Sequence, residues 1–385
     1  MLLGVFWFTH ATFLPFLTTI FHGFGYDNAL IGRVMMIAGL CSMLSAPTWG
    51  MLCDRFQNVR AIVVFSTVCG SAAALALPYA AGDIRIAVAI IIVLYFTFVA
   101  LSYILDVWVI RLSNEGEPVN FAFVRAFGSL GYAVGGPVGG WLMAVYGVGY
   151  IPYLFPALSI TLAVIALFVR NPKKIVIKTE RPSFKTAAGQ LIKNRAYIVF
   201  FLSCFLVFLG SSGVYSFVPI HIMSERIGGT SRSYGLFLFL TGVLEMPLLL
   251  AYKRLSRKAP HKLFLTVAFF FHFMRIVLIG LAPNMAVMYI ASLAYMLSWG
   301  LFIGAIGGYL PEIVDIKILF TAQTVSQAFA SGMASIVSNF FAGTLADAIG
   351  TSGMITRFSL LPFAGFMLFF IVNSGVFFKN RKNSN

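Results

Sequence analysis

The 385 residues are 60% hydrophobic and 10% charged, with a net charge of +15, and their mean hydropathy is +0.92. A soluble domain carries roughly 25% charged residues, so no water-soluble core accounts for this composition. The basic excess alone would suit a nucleic-acid partner, but where the cations lie argues against one.

About 20 residues of helix cross a bilayer. Residues 1–26 contain no Asp, Glu, Lys or Arg and form the first candidate span. The segment 31–52 follows, then the charge-free 61–82 and 86–105. The uncharged stretch Ala126–Val169 is twice the length of one span, and Gly147-Val148-Gly149 divides it into two. After a Lys- and Pro-containing connection, Arg170–Arg195, come 196–224, 234–252 and 262–282. Ile276–Pro311 extends the apolar pattern, with Pro283-Asn284 marking a turn, and 320–346 and 358–378 complete a count of twelve. The segments lack the alternation of a transmembrane β-barrel. An all-α membrane protein is expected, with a six-helix bundle over 1–169, a cytoplasmic linker over 170–195, a second six-helix bundle over 196–378 and a tail over 379–385.

With the N-terminus inside, cytoplasmic loops and the tail hold 20 of the 27 Lys and Arg, eight of them between Arg170 and Arg195 and five between Lys253 and Lys262. Outer loops hold only Arg33, Arg85, Arg226, Arg232 and Arg357. The net charge is therefore a topology signal that places both termini in the cytoplasm and the chain in the inner (cytoplasmic) membrane; no nucleic-acid partner is expected. The N-terminus lacks a basic n-region and a small-residue cleavage site, so the first span is expected to be retained. Cys41, Cys53, Cys69 and Cys204 show neither C-x-x-C spacing nor a His cluster, so neither a metal site nor a disulfide framework is indicated. No P-loop spacing and no nucleophile–base constellation appear in the sequence, which argues against ATP use and catalysis, and no cofactor is expected.

A repeat supports two halves. Gly140-Trp-Leu-Met-Ala-Val-Tyr-Gly147 resembles Gly343-Thr-Leu-Ala-Asp-Ala-Ile-Gly350, offset by 203 residues, and parallel halves of this kind place a solute site at the midplane of many transporters. Gly128, Gly131, Gly135, Gly136, Gly139 and Gly140 crowd the fifth helix and read as close helix packing.

Four charges, Asp106, Arg125, Glu245 and Arg275, fall within otherwise apolar helices. Each costs about 2.5–3.5 kcal/mol at the bilayer centre on insertion scales, so function or pairing must retain it. Burial disfavours an ionised carboxylate and a nearby Arg favours it, so solute binding that diverts the Arg would promote protonation. That is a physical route to proton coupling through Asp106 and Glu245; static pairing that only specifies helix packing is the alternative. Arg125 and Arg275 are candidates to bind solute. At 100° per residue Tyr103 shares the Asp106 face and is a candidate cavity residue, while Trp108 is turned away. His10 and His272 also lie within spans, where a hydrogen-bonded structural role is expected ahead of proton relay.

Gly50-Met-Leu-Cys-Asp54-Arg55-Phe-Gln-Asn-Val-Arg60 is similar to the G-x-x-x-D-R/K-x-G signature of the major facilitator superfamily, with Gln57 at the position of the usual second Gly. The resemblance implies a cytoplasmic gating loop of Gly50, Asp54, Arg55 and Arg60. Within that superfamily the chain resembles the proton symporters related to lactose permease, the nucleoside symporters and the phenylpropionate permease. The likeness rests on Phe6-Trp7 with Pro15-Phe16, Asp106 with Arg111, Asn120-Phe-Ala-Phe-Val-Arg125-Ala-Phe-Gly128, Gly242-Val-Leu-Glu245, Met274-Arg275-Ile276 and Thr321-Ala-Gln323. It implies Asp106–Arg125 and Glu245–Arg275 as intramembrane acid–base pairs and Tyr132 as an aromatic ring against the solute. Ala294 and Leu297 stand where that family has a coupling His and Glu, and Leu248 where it has an amide, so lactose-type chemistry is not expected and a less polar or anionic solute fits better.

The reading is a monomeric, proton-coupled symporter of a small organic solute of the sugar, nucleoside or aromatic-acid class, its partners being the solute, protons and the lipid bilayer. Two alternatives stand beside it: a proton-driven efflux antiporter of amphipathic compounds, and a non-transporting membrane sensor or assembly factor on the same fold.

Overall fold

The structure is a computed structural model that describes residues 1–56, 58–115, 117, 121–171 and 184–382. Gln57, Asn120 and linker positions 172–183 lie outside the described residues, as do the side chain of Asp54 and those of the last tail positions. Among the described residues the chain is helical throughout, with no strand.

Ten stretches are long and apolar enough to cross a membrane. Two of them, Phe123–Phe168 with 46 residues and Ala330–Ser374 with 45, are more than twice the length of one span. Each contains a glycine in the left-handed region, Gly147 at φ 58° and Gly350 at φ 74°, where an L side chain would be strained. These are the two second glycines of the sequence repeat.

The first half comprises α1 (Leu2–Gly23), α2 (Asn28–Phe56), α3 (Val59–Ala76), α4 (Ile84–Ser113), α5 (Phe121–Tyr146) and α6 (Ile151–Phe168). A short α7 (Phe184–Lys193) precedes the second half: α8 (Arg195–Ile222), α9 (Ser231–Leu255), α10 (His261–Leu281), α11 (Met285–Ile313), α12 (Ala330–Phe358) and α13 (Leu360–Lys382). Side chains start the helices where sequence rules expect it. Asn58, Asn194 and Asn284 accept from the backbone N–H three residues on, and Thr230 closes a capping box with Ser233.

In lipid, helices associate by close packing rather than by hydrophobic burial, so small residues mark their contacts. One face of α5 lies on α1: a Cβ on Gly135 would stand 2.6 Å from the Phe8 carbonyl oxygen, and one on Gly139 2.7 Å from that of Thr12. The other face lies on α9, where Gly140 meets the Ser231 carbonyl and Gly235 would approach that of Gly136 to 2.6 Å. The contact between α12 and α2 repeats this arrangement. Gly343 meets the Asn28 carbonyl, and a Cβ on Gly32 would stand 2.5 Å from that of Asn339. Every member of one contact is related to its counterpart by the 203-residue offset seen in the sequence. The two contacts join the halves at the end bearing the Gly147 and Gly350 turns.

One group breaks the symmetry. Asp347 accepts from the backbone N–H of Asn28 at 3.0 Å and of Ala29 at 2.7 Å, fastening the second half to the N-terminus of α2. Its repeat equivalent is Ala144, which has no carboxylate.

Single π-turns interrupt α4 at Leu94–Phe98 and α11 at Met296–Gly300, in near-equivalent places of the two halves. Such a turn re-aims the side chains around it.

Candidate functional site

A cavity of about 500 Å³ lies where the two halves face each other. From the first half α1 contributes Trp7, His10, Leu14 and Thr18, and α5 contributes Arg125, Ser129 and Tyr132, spacings that keep one helical face inward. From the second half α9 presents Tyr234, Phe237, Leu238, Thr241, Gly242 and Glu245, an unbroken stripe at helical period. Arg275 enters from α10 and Tyr215 from α8. The π-turn regions supply Tyr95, Tyr295 and Trp299. The Thr18 hydroxyl donates to the Ser216 carbonyl at 2.7 Å, tying the halves at the cavity wall.

Of the expected solute and coupling residues, Arg125, Tyr132, Glu245 and Arg275 line this cavity, and Asp106 and Tyr103 do not. Asp106 stands 3.8 Å from the Arg125 guanidinium, an ion pair without a hydrogen bond at that length. The other side of Arg125 meets the Trp7 ring, 5.3 Å to its centroid, and Trp7 packs edge-on against Tyr132. Glu245 of the other half lines the cavity that Arg125 enters. The first pair implied by the resemblance is therefore formed, and the acid of the other half shares only the cavity with its arginine. Tyr103, 52% exposed, is outside the cavity.

The second implied pair is not formed. No carboxylate comes within 4.0 Å of Arg275 among the described residues. Its guanidinium, 2% exposed, donates to the Tyr215 hydroxyl at 2.7 Å and is boxed by the rings of Tyr295, Tyr215 and Phe237 at 4.5, 5.0 and 5.7 Å. Its Nε is buried and has no hydrogen-bond partner among the described residues. Sequence period fixes the face a residue occupies but not the helix opposite it, which is why a matching acid in the same bundle did not imply a contact.

The histidines also differ from expectation. His10 lines the cavity with Nδ1 unpartnered, and neither nitrogen of His272 finds a partner among the described residues. His272 instead packs edge-on against Trp299 and Phe302. Trp108 is turned into the first half as its helical angle predicts, its indole N–H donating to the Arg170 carbonyl at 2.9 Å.

The gating loop expected from the resemblance is helical at its named residues, Gly50, Asp54 and Arg55 lying in the last turns of α2 and Arg60 in the first turn of α3, and its contacts are local. The Arg60 side chain donates to the Val169 carbonyl at 2.6 Å, and its backbone N–H to Asn171 at 3.2 Å, joining α3 to the end of α6 within one half. Arg55 lies 6.0 Å from the Phe56 ring centroid, and no atom approaches within 4 Å of where a Cβ on Gly50 would be. No group of three or more potential metal ligands is found among the described residues.

Among the cavity residues that sequence reading passed over, six are aromatic: Tyr95, Tyr215, Tyr234, Phe237, Tyr295 and Trp299. The α9 stripe could have revealed those on its face, since Tyr234, Phe237, Leu238, Thr241 and Glu245 share one helical period.

Bilayer-length helices in two related halves, with a cavity between them lined by charges from both, form the architecture of a multi-pass membrane transporter rather than an enzyme. The chain belongs to the MFS_1 like family of the major facilitator superfamily, whose model matches residues 2–373. It is 24% identical over 350 residues to the maltose permease of Geobacillus stearothermophilus, covering 90% of this chain and 86% of that protein. Its fold is similar to that of the nucleoside transporter NupG, with a TM-score of 0.77 at 16% identity over 96% of this chain and 97% of that one. A point mutant of NupG gives a TM-score of 0.81 at 14% identity, covering 96% of both chains. The human organic anion transporter MFSD10 (TETRAN) gives 0.66 at 14% identity, over 96% and 97%.

Proposed function

We propose that the chain is a secondary active transporter that couples protons to the symport of a small organic solute by alternating access. In this reading twelve spans form two six-helix bundles, 1–169 and 196–378, joined by the cytoplasmic linker 170–195, with the tail 379–385 also cytoplasmic. The monomer works in the cytoplasmic membrane. The observation that carries the reading is the cavity between the halves, into which Arg125 projects from one half and Glu245 and Arg275 from the other.

The chemistry follows from the placement of Arg125. Paired with Asp106 at 3.8 Å and sharing the cavity with Glu245, it favours the ionised form of both acids in this reading, and a solute that engages Arg125 withdraws that support. Asp106 or Glu245 then takes a proton, which travels with the solute. Trp7 and Tyr132 provide the ring surface against which the solute rests. Closure at the Gly140 and Gly343 contacts, alternating with closure at the loop of Gly50, Asp54, Arg55 and Arg60, exposes the cavity to one side at a time.

The test is addition of solute to a weakly buffered suspension of cells making the protein, with maltose, uridine and aromatic acids as the panel. Symport is expected to alkalinise the medium on addition of one class. Acid-driven loss of a preloaded amphipathic compound would favour efflux instead, and no solute-dependent proton movement with any class would reject coupling.

A further inference from the structure

We propose that Arg275 and Tyr215 form an oxyanion site and that the solute is a monovalent organic acid whose carboxylate occupies it. This rests on the transport reading above and names the solute class. Arg275 is 2% exposed, has one hydrogen bond, to Tyr215, an unpartnered Nε and no carboxylate within 4.0 Å among the described residues. A buried charge without a counter-charge is strongly unfavourable, and arginine has no neutral form to adopt in a protein. The guanidinium also lines the cavity, so an anion arriving there finds a fork of donors suited to a carboxylate.

Tyr215 supplies the second contact. Its oxygen accepts from Arg275 at 2.7 Å, leaving its own hydroxyl proton to donate to the solute in the cavity that Tyr215 lines. The rings of Phe237 and Tyr295 on the guanidinium exclude water from the site, and Tyr234 and Trp299 continue an aromatic wall beyond it. An acid with an aromatic or branched apolar body fits that wall better than a polyol does. Charge balance sets how many protons an anion needs. Asp106, Arg125, Glu245 and Arg275 sum to zero, so a monoanion leaves a net charge of minus one, and a single proton on Asp106 or Glu245 restores neutrality. The loaded cavity then crosses the membrane without moving charge, whereas a divalent anion would need two protons.

The experiment uses purified full-length protein and reads thermal stabilisation by benzoate and phenylacetate, each against its neutral amide, with maltose and uridine as uncharged solutes. A carboxylate is expected to stabilise the protein, its amide to bind at least tenfold more weakly, and Arg275→Gln to lose carboxylate binding. Arg275→Lys, which keeps the charge but loses the fork, should weaken binding about ten- to a hundredfold. Tyr215→Phe guards against misfolding of the arginine variants: it keeps the ring and should weaken the carboxylate several-fold while its helical circular dichroism matches that of the unsubstituted protein. Equal stabilisation by acid and amide, binding unaffected by Arg275→Gln, or no stabilisation by either carboxylate would overturn the site. Proton-coupled uptake of maltose or uridine that survives Arg275→Gln would overturn the anion site and leave the transport reading standing. Carboxylate binding that Arg275→Gln removes, without solute-dependent proton movement, would do the reverse.

Discussion

Each half carries one acid and one arginine inside the membrane, yet the two halves use them differently. In the first, Arg125 and Asp106 stand 3.8 Å apart with side chains 42% and 27% exposed. In the second, Arg275 is 2% exposed among aromatic rings, and Glu245 lies elsewhere on the cavity wall. The backbone repeat survives to the residue at the glycine contacts, whereas the charge pattern does not. A scaffold can stay symmetric while its site does not, one arginine paired with an acid and the other standing without one among the described residues.

The largest effect is expected from breaking the Arg125 side of this comparison. Asp106→Asn and Glu245→Gln should each lower solute accumulation by more than tenfold while leaving membrane expression largely intact, as read by uptake and immunoblot. Arg125→Ala should be equally defective. If the Asp106→Ala, Arg125→Ala double variant regains active uptake, that pair serves packing alone, because no buried charge is then left by itself. Normal accumulation in both single acid variants would remove them from coupling.

A smaller effect tests whether the scaffold is as symmetric as the site is not. Gly140→Ala and Gly343→Ala each push a methyl into a carbonyl oxygen of the other half, and overpacking of this kind costs about 1–3 kcal/mol. Both should loosen the same end to a similar degree, measured as increased labelling of a cysteine introduced at Leu238 by an impermeant thiol reagent. A defect at one glycine and none at the other would contradict the shared register.

The smallest effect belongs to Asp347. Removing a carboxylate from a helix N-terminus costs about 0.5–2 kcal/mol, so Asp347→Ala should shift the same labelling modestly toward the opened state. Introducing the missing partner as Ala144→Asp should shift it less or not at all, since the Thr230–Ser233 box already caps α9. A response at Ala144→Asp equal to that at Asp347→Ala would remove the asymmetry.

Much of this was legible in the sequence for physical reasons. Charge-free runs of bilayer length, and cations gathered in alternate loops, follow from the cost of placing charge in hydrocarbon. The same cost singled out Arg125, Glu245 and Arg275, which line the cavity, and Asp106, which does not. Tyr132 came from the resemblance alone. The absent Glu245–Arg275 contact was not legible, because both residues can face the same cavity without meeting. Nor was the aromatic lining. In a soluble protein an aromatic stripe on a helix points to a core, but in lipid the outward faces are apolar too, so forty phenylalanines carry little positional information. The repeat was visible at Gly140 and Gly343 because glycine is hard to replace where backbones touch. Gly32 and Gly235 are likewise both glycine, whereas Asn28 with Ser231 and Gly136 with Asn339 differ in identity and emerge only from the contacts they make.

That shared register has an ancestral consequence. The first half owns α5, which presses glycines on α9, and also α2, which receives the glycine of α12, so it carries both sides of one joint. The second half does likewise. Two copies of either half would hold every surface needed to close on each other about a true twofold axis, and a half-length protein could have assembled in this way before duplication joined two copies in one chain. Fusion then freed each copy to mutate alone, and the lone Asp347 and the unmatched Arg275 are the kind of difference that no symmetric dimer could keep.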